Sequence, residues 1–243
     1  MTLQELIYSV QEAIRPSLKD DDIVDQREVS FQIRNQRALW IKNDLNKSGR
    51  AIDDNTLQTI CMDVDLADPS DCCDIKTKCT ILKSKVNFPS TIPLNGGDRT
   101  IFRIGPVNLM KSNYLIIPYH RAAFVGNGRF NKDFVYSFLY NWNIFIISNP
   151  GNALIRGIKK IAISAIFENP EDTKAFEGCS GLPCYTDDSR YPISSWMWNY
   201  IQPMVIRHFL PQLILPEKPE GGKGGVEEAI KLNEPETKER YNG

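Results

Sequence analysis

The chain of 243 residues has no surplus charge of either sign: 29 Lys and Arg stand against 30 Asp and Glu, a formal net charge of -1. That balance excludes the bulk positive field that dominates nonspecific nucleic-acid binding, so any role around DNA has to rest on geometry or on a local patch. No run of eighteen apolar residues occurs, and the opening MTLQELIYSVQEAIRP carries acids where a secretory leader would carry bases, which predicts a soluble, cytosolic chain. Histidine is nearly absent, at two residues, and no G-x-S-x-G elbow is present. A repeat of fixed period is also missing. At this length a core needs no staples, so the six cysteines of a chain in a reducing compartment read as free thiols unless they bind metal.

What is present begins with helices. Thr2 and Glu5 have the spacing of a capping box, and Leu3, Leu6, Ile7, Val10 and Ile14 then recur at helical period up to Pro16. After an acidic KDDDIVD stretch, Asp25 with Glu28 opens a second helix in which Val29, Ile33 and Trp40 mark one side of a charged rod, ended by Ser48-Gly49. From Gln58 the period changes to two: Ile60, Met62, Val64 and Leu66 alternate with Cys61, Asp63 and Asp65. Strand-like runs follow at 80–86, 100–105, 113–117, 135–140, 143–148 and 158–167, separated by the turn clusters LNGGD, GNGRFNK and SNPGN. Asn141-Trp142 is the two-residue loop of a hairpin. Glu168 to Thr173 predicts a helical turn, CSGLPCYTDDSRYP a loop, and Ser194 or Ser195 the cap of a last helix that Pro203 should bend.

The resulting fold class is α+β. Two N-terminal helices and a C-terminal helix form a scaffold (1–53 and 168–215), an antiparallel β-sandwich or barrel-like module is inserted (54–167), and residues 216–243 form a tail. That tail, EKPEGGKGGVEEAIKLNEPETKERYNG, has too few large apolar groups to offset its ordering entropy and is expected to be mobile.

Several patterns invite chemistry. Cys72 or Cys73 with Cys79, Cys179 and Cys184 could supply four thiolates to zinc, but adjacent, x5 and x4 spacings give no pair of C-x2-C knuckles. Asp63, Asp65 and Asp68 offer hard oxygens to calcium, yet the loop lacks the glycine and terminal Glu of a calcium loop, and Pro69 interrupts it. His120 and His208 have no specified thiol partner for nucleophilic work. Gly221, Gly222, Gly224 and Gly225 around Lys223 imitate a phosphate loop in composition only, and read as a linker. Lys76, Lys78, Lys83 and Lys85, with Arg99 and Arg103 nearby, could make a positive stripe or simply guard a strand edge. The aromatic residues, densest in the later strands and at Trp196, Trp198 and Tyr200, suit a core or subunit packing. No catalytic, cofactor-binding or metal residue is expected. Two other readings stay open at this point: a zinc-stabilised module contacting protein or nucleic acid through its β region, and a thiol-dependent enzyme.

Several stretches in order carry a resemblance across residues 1 to 215: MTLQELIYSVQEAI, SFQIRNQRALWIKNDLNK, CMDVDLADPSDCCDIKTKCTILKSKVNFPSTI, RIGPVN, AISAIFENP and YPISSWMWNYIQPMVI. Together they resemble the head-to-tail connector, or ring, proteins of crAss-like podoviruses, tailed phages of gut bacteria. The resemblance implies a virion structural subunit, made in the host cytoplasm, that assembles as a homo-dodecameric ring below the portal. Such a ring would extend the channel through which DNA passes without specific binding, and would contact portal, other ring and tail proteins. FENP, residues 167–170, reads as an architectural mark where Pro170 stops a strand.

Overall fold

A computed structural model describes residues 1–17, 24–47, 53–67, 80–95, 99–108, 111–125, 133–149, 155 and 157–214. Helix α1 (Leu3–Ile14) starts as its sequence dictates: the Thr2 hydroxyl accepts from the Glu5 N–H, and the Glu5 carboxylate accepts from the Thr2 N–H. Its five apolar residues at helical spacing are all buried, and each contributes roughly 1.5–3 kcal/mol. Helix α2 (Gln26–Asn46) is capped by Asp25, whose carboxylate accepts from the Arg27 N–H. Helix α3 (Ser195–Ile214) runs unbroken through Pro203. All three pack on one core, which also receives Ile92, Ile166, Tyr191 and Ile193 from outside the helices.

Seven strands follow the period-two signal closely: β1 (Gln58–Leu66), β2 (Thr80–Ser84), β3 (Ile101–Pro106), β4 (Leu115–Ile116), β5 (Tyr136–Tyr140), β6 (Asn143–Ser148) and β7 (Lys160–Ala165). They form one sheet in the order β3-β7-β1-β2-β6-β5-β4. Strand β1 pairs with β7 over Gln58–Asp63 and with β2 over Val64–Leu66, so it changes partner along its length and bends the sheet round. The two edges nearly meet, where the Tyr114 N–H donates to the Ile104 carbonyl at 2.8 Å. Gly105 permits this approach, because a Cβ there would lie 3.2 Å from Asn113 Oδ1 and 3.4 Å from Asn113 Cα. The barrel-like reading therefore holds. One correction applies: β4 pairs with β5 in parallel, so the sheet is mixed rather than wholly antiparallel. The chain between them, 117–135, is long enough to return in the same direction through a short 3-10 segment at Tyr119–Phe124, which a two-residue turn could not do.

Alternation sorts the side chains. Ile60, Met62, Ile144, Ile146, Ile161 and Ile163 fill the barrel interior. Tyr136, Phe138, Phe145 and Ile147 face the other way and are covered by Ala122 and Val125. In the β5–β6 hairpin Asn141 and Trp142 both have positive φ, 45° and 62°, as the tight turn demands.

Candidate assembly surface

The helices are fastened to the barrel by a residue that the hydrophobic pattern does not flag. Arg37, on the α2 face that carries Val29, Ile33 and Ile41, is fully buried. Its Nε donates to the Pro192 carbonyl and its Nη1 to the Phe167 carbonyl, each at 2.9 Å. Its guanidinium also lies 5.8 Å from the centre of the Tyr191 ring. Burial lowers its pKa, and no carboxylate hydrogen-bonds it among the described residues; the nearby Glu171 instead pairs with Arg34 at 3.1 Å. Burial likewise raises the Tyr191 phenol to about 12. Arg37 thus joins α2, the FENP turn and the lead-in to α3. A sequence signal exists, since 29, 33, 37 and 41 are spaced by four, but hydrophobic periodicity passes over an arginine in that series.

Around the start of α3 the surface is aromatic. Trp196, Tyr200 and Met204 lie one turn apart and are 43%, 58% and 44% exposed. Trp40 of α2 meets Trp196 edge-on, with ring centres 5.0 Å apart, and stacks on Tyr200 at 6.3 Å. Trp40 and Trp196 help line a small pocket of about 30 Å³, together with the buried Ile41, Ile166 and Met197 and with Asp44 and Asp53. Asp53 fixes this corner: it accepts from the Ser194 hydroxyl, from Asn55 and, at 3.1 Å, from Trp196 Nε1. These donors, Ser194 first, hold its carboxyl down at about 2. Ser194 accordingly spends its hydroxyl on Asp53, while its carbonyl accepts the Met197 and Trp198 N–H groups that begin the helix.

The cysteine expectation needs correction. Cys61 and Cys179, 118 residues apart, form a disulfide that ties the 177–184 loop to the outer face of β1. Alternation along β1 sends Cys61 away from the barrel interior, and the fold brings the loop against it, which spacing alone could not reveal. Cys184 is a free, half-buried thiol that donates to the Thr59 carbonyl at 3.4 Å, and burial pushes its pKa up, away from the reactive thiolate. Cys72, Cys73 and Cys79 lie outside the described residues, as do Asp68, Lys76, Lys78 and the glycines of the tail. Among the described residues no cluster of three or more His, Cys, Asp or Glu side chains could hold a metal ion.

The remaining candidates serve local structure. Lys85 pairs with Asp65 at 3.7 Å, and Lys83 lies opposite Asp65 in the strand register, so one acid neighbours both lysines; β2 pairs with β1 and β6, so Lys83 does not guard a sheet edge. Arg99 sits over the Trp142 ring at 5.4 Å, and Arg103 Nε donates to Asn113. His208, on the exposed side of α3, lies against Gln32 at 3.0 Å and Glu28 at 3.9 Å; His120 is exposed in the 119–124 segment. No helix among the described residues is long and apolar enough to cross a membrane.

An exposed aromatic face beside a rigidly fastened helical layer is what a subunit surface requires, with large apolar contacts held ready at little entropic cost. No curated protein sequence matches the chain. A family model described as phage tail ring protein 2 matches residues 5–220, which covers all three helices and all seven strands apart from the first two residues of α1. The chain therefore belongs to the phage tail ring protein 2 family.

Proposed function

We propose that the protein is a virion structural subunit of the portal-tail connector, assembling as a dodecameric ring that extends the DNA channel and offers tail components a docking surface. The observation that carries the ring contact is the face of the exposed Trp196, Tyr200 and Met204, against which the partly buried Trp40 packs. Ring closure is heterologous, so each copy must present two different surfaces, and an aromatic face on one side meets half of that requirement. The near-zero net charge supports a channel that lets DNA slide rather than grips it, since each neutralised phosphate would add affinity and drag. The division into a helical connector part (1–53 with 168–215), a β module (54–167) and a tail (216–243) belongs to the same reading, with the helices lining the wall. The role is structural rather than catalytic.

The test is a density map of the assembled particle together with mass measurement of the purified chain, alone and with portal rings as a template. A closed ring of this chain between portal and tail is expected. A chain that stays monomeric in every condition and is absent from virions would overturn the reading. DNA binding near background at 150 mM salt is the companion expectation, measured by fluorescence anisotropy.

A further inference from the structure

Strand β1 has one edge that other strands cover only in part. Its even-numbered residues turn their backbone groups toward β7, as where the Val64 N–H donates to the Lys159 carbonyl at 2.9 Å, and the odd-numbered ones turn the other way. On that second side the Ala67 N–H donates to the Ile81 carbonyl and the Asp63 carbonyl accepts from the Lys85 N–H, but β2 pairs only over Val64–Leu66. At Thr59 and Cys61 β2 has left, and residues 177–183 take its place. The Cys61 N–H donates to the Glu177 carbonyl at 3.0 Å, and the Cys184 thiol at the end of the segment donates to the Thr59 carbonyl at 3.4 Å. A loop laid along a strand edge keeps that edge from pairing. We propose that residues 177–183 are a strap over this edge of β1 and that the Cys61–Cys179 bond is its redox latch, opened by a low-molecular-weight thiol and closed by a low-molecular-weight disulfide.

Apart from the disulfide, the strap is held lightly. Its one large aliphatic side chain, Leu182, is 68% exposed. Glu177 pairs with Lys160 at 3.3 Å, but both side chains reach solvent, and such a pair adds little in water. The Gly178 N–H donates to the Leu182 carbonyl and Gly181 turns at a φ of 81°, so the segment folds on itself rather than onto the barrel. Phe176 and Cys184 pack against the barrel core at its two ends and serve as hinges. A segment with so few buried contacts opens locally once its covalent tie is cut.

Access sets the order of bond changes. Cys61 is buried beneath the strap, whereas Cys179, on the strap, is partly exposed. An incoming thiolate therefore bonds to Cys179 Sγ as the S–S bond breaks, and the electron pair leaves on Cys61 Sγ, which takes up a proton. A second small thiol attacks the small-molecule sulfur of the mixed disulfide and releases Cys179 as a thiol. Two small thiols are thereby oxidised to one disulfide as the protein bond is reduced to two thiols, and closing runs the same steps backward. In a compartment kept reduced by such thiols the strap is open, and in an oxidising medium it is closed. Cys184 keeps its half-buried thiol on the Thr59 carbonyl and takes no part.

The experiment follows the Cys61 amide, whose partner is on the strap, by hydrogen exchange at single-residue resolution in the full chain. The chain is compared air-oxidised, reduced with dithiothreitol, and as Cys179→Ser. The Cys61 amide should exchange about tenfold faster or more in the reduced chain and in Cys179→Ser alike, and oxidised glutathione should restore the slow rate in the reduced chain alone. The faster rate should be the same in about 1 M urea, the mark of local opening, while the β7 amides respond to urea. An unchanged Cys61 rate overturns the strap, as does an acceleration that rises with urea as steeply as that of the β7 amides, which is loss of global stability. Reduced glutathione added to the oxidised chain and quenched with acid should be found on Cys179; a glutathione adduct on Cys61 instead overturns the order of attack. Peptide mapping of the air-oxidised chain without a 61–179 link overturns the latch outright.

Discussion

Replacing Arg37 by methionine tests what joins the helices to the barrel. The substitution keeps an unbranched stem of similar length in the fully buried site but withdraws the donors from the Phe167 and Pro192 carbonyls. A buried acceptor left without its partner costs about 1–3 kcal/mol, so the two together cost about 2–6 kcal/mol. Against this stands the relief of a desolvated cation that no carboxylate hydrogen-bonds among the described residues, which returns part of the penalty. We expect a net loss of about 2–4 kcal/mol, or roughly 4–16 °C in melting temperature for a chain of this size. Arg34→Met removes a partly exposed ion pair with Glu171 and should cost less than about 1 kcal/mol. Urea unfolding followed by far-ultraviolet circular dichroism and tryptophan fluorescence reads both changes. In Arg37→Met the two probes should also separate, because three of the four tryptophans belong to the helical layer, at Trp40, Trp196 and Trp198. The reasoning is refuted if Arg37→Met costs no more than Arg34→Met.

Three further outcomes are expected. The depressed carboxyl of Asp53, at about 2, gives stability that is fully present above the unfolded carboxylate range near pH 4 and lost as pH falls toward 2; Asp53→Asn should flatten that acid limb when Trp196 emission is followed. Reduction of the Cys61–Cys179 bond, which closes a separation of 118 residues, should cost about 3–5 kcal/mol in air-oxidised protein, and Cys61→Ser should reproduce the loss and abolish the reductant effect. Trp142→Gly relieves a positive φ worth about 1 kcal/mol and gives up a cation-π contact with Arg99 worth about 0.5–1 kcal/mol, so stability should stay within about 1 kcal/mol by urea melts.

Much of the architecture was written in local periodicity. The capping box at Thr2 and Glu5, the shift to period two at Gln58 and the Asn141-Trp142 turn each depend on neighbours in sequence, and each appears where expected. The same local logic passed over Arg37 and misread Cys61 as a free thiol. An arginine in a charged helix and a cysteine on the outward side of a strand have no sequence neighbour that reveals their partners, which lie 130, 155 and 118 residues away. The aromatic helix was visible as a composition, but whether its rings face a core or solvent depends on what packs across it. The family resemblance was also legible, because it rests on short stretches kept in order.

By itself, then, the sequence determined the elements, their order and the ring family, since helices, strands and turns are specified by periodicity and backbone chemistry over a few residues. Only the tertiary structure decided that Trp40 would join Trp196 and Tyr200 on an open face, that Arg37 would bridge two distant carbonyls, and that Cys61 would meet Cys179. Those are contacts between segments far apart in the chain, and their geometry exists only once the sheet has curled and the helices have closed over it.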